Sequence, residues 1–141
     1  MQPSFLMPAP LCNGAPHLRV ARPSRDLHAA TRLYTEGLGF DVLASFLDHA
    51  GFDGVMLGRA GWPYHLELTQ RRDDPIAPRP TAEDLLVLYL PDRAHWEAAV
   101  RRLRDAGARS VASVNPYWDA RGATFEDPDG YRIVLANDAW P

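Results

Sequence analysis

The chain has 141 residues, 46% hydrophobic and 23% charged, which fits one compact domain or two small halves sharing a core and excludes a disordered protein. A formal net charge of −3 and a pI near 5.9 give no basic field for a phosphate backbone, so nucleic acid is not the expected partner. No apolar run approaches the roughly 20 residues that a membrane span needs.

Residues 1–16, MQPSFLMPAPLCNGAP, carry several prolines and no basic n-region, and read as a flexible lead-in rather than a signal peptide. A cytoplasmic location is the resulting expectation. Cys12, the only cysteine, lies in this stretch and cannot form an internal disulfide, in keeping with a reducing compartment.

The first half spans residues 17–70. Residues 17–22 alternate as a strand, with Leu18 and Val20 on one face and His17, Arg19 and Ala21 on the other. Pro23 ends it, Ser24 is the expected N-cap, and Asp26 suits the positive end of a helix dipole. Leu27, Ala30, Tyr34 and Leu38 keep helical spacing until Gly37 and Gly39 stop the helix. Strands over 40–46, 52–58 and 63–70 follow, separated by the turn-rich DHAGFDG and GRAGWP stretches. Residues 71–84, RRDDPIAPRPTAED, form a stiff proline-rich linker.

The second half, residues 85–141, repeats the order. Pro91 and Asp92 punctuate its first strand, and Trp96, Ala99, Val100 and Leu103 make an apolar helical stripe before Gly107. Strands are expected over 108–114, 121–126 and 130–137, and DPDG between the last two is a strong turn. An ungapped shift of 68 residues superposes Leu18 on Leu86, Pro23 on Pro91, Arg25 on Arg93, Ala30 on Ala98 and Gly39 on Gly107. The pattern predicts an α+β fold of two tandem βαβββ modules, whose helices cover one face of a curved mixed sheet around a cavity.

This layout, with ARPSRDLHAATRLYTEGLGF at the first helix and FEDPDGYRIVL near the end, resembles the vicinal oxygen chelate superfamily of glyoxalase I, extradiol dioxygenases, fosfomycin-resistance transferases and bleomycin-binding proteins. The resemblance implies a U-shaped sheet that encloses the site. It also implies a divalent metal, Ni, Zn, Mn or Fe, held by up to four side chains, one on the first and one on the last strand of each half. Carried over, these positions fall on His17 and Glu67 in the first half, although the RPSRD turn lets the first of them slide by two residues on the same face. In the second half they fall on Leu85 and Val134, which cannot bind metal. His65 shares the face of Glu67, so His17, His65 and Glu67 could make a two-histidine, one-carboxylate set, with the i and i+2 side chains rooted about 7 Å apart. The plainer alternative is a hydrogen-bonded His65–Glu67 pair on a polar cavity floor.

The remaining cavity-side residues suit an organic ligand. Arg19 and Arg132 put guanidinium groups on the sheet, able to clamp an acid bidentately or to pair with Glu67, and Tyr89 faces inward by the repeat. Asn115, Tyr117 and Trp118 in the loop VNPYWDARG offer an amide and two rings beside the mouth, as a pocket wall, an aromatic plug or a dimer contact. Trp62 and Trp140 are expected to pack at edges, and His28, His49 and His95 to be solvated. The favoured reading is a small-molecule binder with no cofactor, its cavity lined by aromatic residues and Arg. The alternative is an enzyme: a metal-dependent lyase, isomerase or dioxygenase using His17 and Glu67, or a proton-transfer catalyst with Glu67 as base beside His65. An open sheet edge leads to the expectation of a symmetric homodimer.

Overall fold

A computed structural model describes residues 8–141, so the first seven residues of the expected lead-in lie outside the described part. The elements run β1 (Leu18–Pro23), α1 (Leu27–Arg32), β2 (Asp41–His49), β3 (Phe52–Gly58), β4 (Tyr64–Arg71), β5 (Leu85–Tyr89), α2 (Arg93–Asp105), β6 (Arg109–Val111), a short α3 (Tyr117–Ala120), β7 (Gly122–Glu126) and β8 (Arg132–Ala136). They build two four-stranded mixed sheets with orders β1-β4-β3-β2 and β5-β8-β7-β6, each with one parallel pair. The α+β fold of two tandem βαβββ modules is thus observed. No described helix is long and apolar enough to cross a membrane.

The helix starts correct one detail of the sequence reading. Asp26, not Ser24, caps α1 by accepting from the Ala29 amide, and Asp92 caps α2 by accepting from the His95 amide. Asp26 and Asp92 are two residues short of the 68-residue offset, so the repeat slides by two at the strand-to-helix turn. The strand pairing agrees: Arg19 lies opposite His65 in the first sheet, and Leu85 opposite Arg132 in the second. With Arg132 the counterpart of His65, the counterpart of Leu85 is Arg19 rather than His17. The five residues RPSRD against a tighter Leu90-Pro91-Asp92 corner account for the slip.

Beyond Arg32 the first helix widens into a π-helical turn, Leu33–Gly37. Gly37 permits close packing there, because a Cβ would stand 2.8 Å from Leu103 Cδ1 of α2. Arg102 of α2 donates from Nε to Glu36 O at 2.6 Å, satisfying a carbonyl at the end of that helix. Leu33, Tyr34, Leu57, Leu66 and Leu68 merge with Val100, Leu103, Phe125, Ile133 and Leu135 into one apolar cluster shared by both modules.

Buried acids latch the modules together. The DPDG turn between β7 and β8 inserts under the first module, where Asp129 accepts Ser24 Oγ at 2.6 Å and the Arg25 amide at 2.8 Å. Asp127 accepts the Tyr34 hydroxyl at 2.8 Å and the Asp129 and Tyr131 amides at 2.8 and 2.9 Å. Ser24 is therefore a buried inter-module donor.

Candidate functional site

Strand parity divides the first sheet into two faces. Val20, Leu66 and Leu68 point at the helix, while Arg19, His65, Glu67 and Met56 share the other face through the pairs Arg19 with His65 and Met56 with Glu67. His17, just before β1, reaches the same cluster. Its Nε2 lies 2.6 Å from His65 Nδ1. Arg19 Nε donates to His65 Nε2 at 2.8 Å, its Nη1 to Glu67 Oε2 at 3.4 Å, and its Nη2 approaches Met56 Sδ at 3.6 Å.

These contacts decide a tautomer. A guanidinium only donates, so His65 Nε2 must carry a lone pair, and the proton of neutral His65 sits on Nδ1, pointing at His17. Burial, then Arg19 and His17, hold the His65 pKa below the ordinary imidazole value, while Glu67 pulls the other way. The cluster presents a neutral His65 imidazole, with His17 beside it, a carboxylate and a guanidinium that is 46% exposed. It can receive an anionic or carbonyl oxygen at Arg19, beside a carboxylate able to accept a proton.

A divalent ion does not fit this arrangement. Arg19 fills the space between His65 and Glu67 with a fixed positive charge, and its Nε occupies the His65 lone pair that a metal would need. Among the described residues no group of three or more His, Cys, Asp or Glu is arranged to hold a metal.

The second module lacks a matching polar floor. On the equivalent face, Val134 and Thr124 are buried, and Leu85 and Val87 are half-buried. Arg132 pairs with Glu126 at 3.2 Å and donates to Ala112 O at 3.3 Å, and Arg109 also pairs with Glu126. These ion pairs, Arg109 first, keep the Glu126 carboxyl below its usual range, although burial opposes them.

The aromatic loop holds onto this face through Ser113 Oγ, 2.6 Å from Thr124 Oγ1. Asn115 accepts the Tyr117 amide through its side-chain oxygen at the start of α3. Tyr117 and Trp118 meet edge to face, and with Tyr89 they line a pocket of about 80 Å³, room for a few waters only. Tyr89 also packs on Trp140, whereas Trp62 stacks on Tyr64 and meets Phe40 edge-on. The residues singled out in the sequence therefore fall into a polar group (His17, Arg19, His65, Glu67), an aromatic group (Tyr89, Tyr117, Trp118), and Arg132 in its own ion pair.

Sequence reasoning missed two participants. Met56 touches Arg19, and the Phe46 ring covers Gly54 on the same face, where a Cβ would lie 2.3 Å from the ring. The alternation Gly54-Met56-Gly58 on β3 was the available signal.

Comparison with known proteins shows where this geometry belongs. Residues 18–69 match the YycE-like N-terminal domain, and residues 83–137 the YycE-like C-terminal domain. The chain belongs to the YycE-like family. Within the vicinal oxygen chelate superfamily, its relatives include the uncharacterized protein YycE of Bacillus subtilis (strain 168), 43% identical over 123 residues, 87% of this chain and 88% of the relative. A crystal structure of Bacillus subtilis YycE matches with a TM-score of 0.83 at 42% identity, over 90% of this chain and 93% of that one. The fold also matches the trypanothione-dependent glyoxalase I of Leishmania major, at 24% identity and TM-score 0.67 over 89% and 88% of the chains. TnmS3, an antibiotic-binding protein from Streptomyces, shares it at 23% identity and TM-score 0.61 over 91% and 98%.

Proposed function

We propose that this chain binds a small organic molecule with an acidic group, without a metal ion, on the polar face of the first sheet. The observation that carries this reading is Arg19, a guanidinium held between His65 and Glu67 where a superfamily metal ion would otherwise be coordinated, with nearly half its surface open. Guanidinium keeps its charge at every working pH and offers a planar fork to a carboxylate or phosphonate. Met56, which touches Arg19, and Phe46 on the same face supply apolar contact for the rest of the ligand. The antibiotic-binding relative of the same fold is in keeping with this reading.

Titration with phenylphosphonate and benzoate, followed by calorimetry, tests it. Arg19→Ala should weaken binding at least about tenfold, roughly 1.4 kcal/mol. Glu67→Gln should strengthen it, because Glu67 competes for the same guanidinium. Equal binding by wild type and Arg19→Ala would sink the proposal.

The proximity of His17, His65 and Glu67 supports a second reading as an enzyme, with Glu67 as base beside neutral His65. Here Glu67→Gln abolishes turnover while binding survives.

A homodimer completes the reading. β2 is a nine-residue outer edge with Val42, Leu43 and Leu47 exposed, Leu47 at 79%, which is the kind of edge a second copy covers. Leu47→Lys should convert a sedimenting dimer to a monomer, and a wild type that is monomeric at high concentration refutes the dimer. The setting is the reducing cytoplasm, where exposed Cys12 stays a thiol.

A further inference from the structure

A roomy cavity lies away from the polar cluster. It measures about 700 Å³, inside the range of about 300–1,000 Å³ typical of ligand sites, and opens on the helix side of both sheets. Leu18, Val20, Tyr64 and Leu66 line it from the first module, with parity opposite to Arg19 and Glu67. Leu86, Leu88, Ile133 and Leu135 form the facing wall, and Ala98 and Ala99 of α2 close one side.

Its existence follows from a broken symmetry. Where the first helix meets the β7–β8 turn, Asp127 and Asp129 bind Tyr34 and Ser24 and seal the junction. The counterpart junction sets α2 against the β3–β4 turn, which reads GRAGWP in place of EDPDG and brings no carboxylate. Trp62 and Tyr64 stand there instead, stacked at 5.3 Å, with Phe40 edge-on to Trp62 at 5.5 Å. An aromatic wall thus faces an aliphatic one across an open cleft.

We propose that this cleft is a second ligand site, taking a ring-containing apolar molecule with an acidic head group. The walls suit flat hydrocarbon. The head group is set by charge at the rim, where His95 and Arg102 line the cleft and Arg101 stands on the same helix. Three nearby acids are already engaged: Asp92 caps α2, Glu97 pairs with Arg93, and Glu36 pairs with Arg32. Trp62 Nε1 and Tyr64 Oη have no protein partner among the described residues and offer two further donors to an acid. Concavity argues against a second copy as occupant, because Phe40, Ile133 and Leu135 are buried at its base while the exposed apolar edge lies on β2.

The probes are 8-anilinonaphthalene-1-sulfonate and its uncharged analogue N-phenyl-1-naphthylamine, titrated by fluorescence with sedimentation velocity in parallel. In Arg19→Ala, whose polar cluster no longer takes acids, one sulfonate per chain is expected, with the uncharged dye binding at least about fivefold more weakly. Ala98→Trp, which fills the cleft from the exposed side of α2, and Leu18→Trp at its mouth should each weaken the sulfonate about tenfold without changing sedimentation. The cleft's share of the wild-type binding should survive in Arg19→Ala, which separates this site from the polar cluster. The proposal is overturned if wild type binds no dye, if both tryptophan variants bind as wild type, or if the uncharged dye binds equally well. Loss of binding in Arg19→Ala, or a dimer dissociated by Ala98→Trp, overturns it as well.

Discussion

Replacing Asp127 by Ala is expected to cost the chain most of its stability. The side chain accepts three hydrogen bonds, from Tyr34 Oη and from the Asp129 and Tyr131 amides, all within 2.9 Å and all buried. A buried donor left without a partner costs about 1–3 kcal/mol, and three of them approach a typical total stability of about 5–15 kcal/mol. Urea denaturation should show the midpoint collapsing, and a change under about 1 kcal/mol would contradict the latch. Asp127→Asn separates geometry from charge. The amide keeps its oxygen for the two backbone donors and turns an N–H toward Tyr34, so most stability should return. Burial raises the Asp127 pKa, outweighing the hydrogen bonds that lower it. A carboxyl whose folded pKa is raised stabilises fully below the unfolded value of about 3.9, and that contribution is lost as pH rises through the folded value. Asp127→Asn should therefore gain on wild type as pH rises from the unfolded value through the folded one. The lowered carboxyls of Asp84 and Asp92 act in the opposite sense, losing their contribution as pH falls through their folded values.

Arg19→His is expected to create a metal site. Position 19 lies directly across from His65 on β4, with Glu67 two residues along on the same face and His17 beside it. Replacing the guanidinium by imidazole removes the fixed positive charge and frees the His65 Nε2 lone pair. Two imidazoles and a carboxylate then converge as nitrogen and oxygen donors suited to Zn²⁺ or Ni²⁺. The variant, dialysed against each metal, should retain about one equivalent by elemental analysis, with a dissociation constant near micromolar, about −8 kcal/mol. Wild type treated identically should retain far less. Stoichiometric metal in wild type would show that Arg19 moves aside, removing the basis for a metal-free ligand site.

The legibility of this chain was uneven, for physical reasons. Capping, proline and glycine act over a few residues, so Asp92, Pro91, Gly39 and the DPDG turn marked their elements directly. The alternation that put His17 and Arg19 on one face and Val20 on the other is equally local, as is the matching alternation around His65 and Glu67. Ser24 was misread because a hydroxyl before a helix has a local use as a cap, and its actual partner, Asp129, is more than a hundred residues away. The repeat offset erred by two because identities at Leu18/Leu86 and Arg25/Arg93 ignore the extra length of the RPSRD corner. Only strand pairing reveals that slip.

By itself, the sequence determined the tandem βαβββ order and the common strand face of Arg19, His65 and Glu67, because each depends on periodicity or residue chemistry. The tertiary structure decided which of those groups meet. Arg19 locks the His65 tautomer, the aromatic loop closes over the second sheet, and the apolar cleft opens beneath α2. Each outcome turns on the relative placement of two modules, which is set by contacts between residues far apart in the chain.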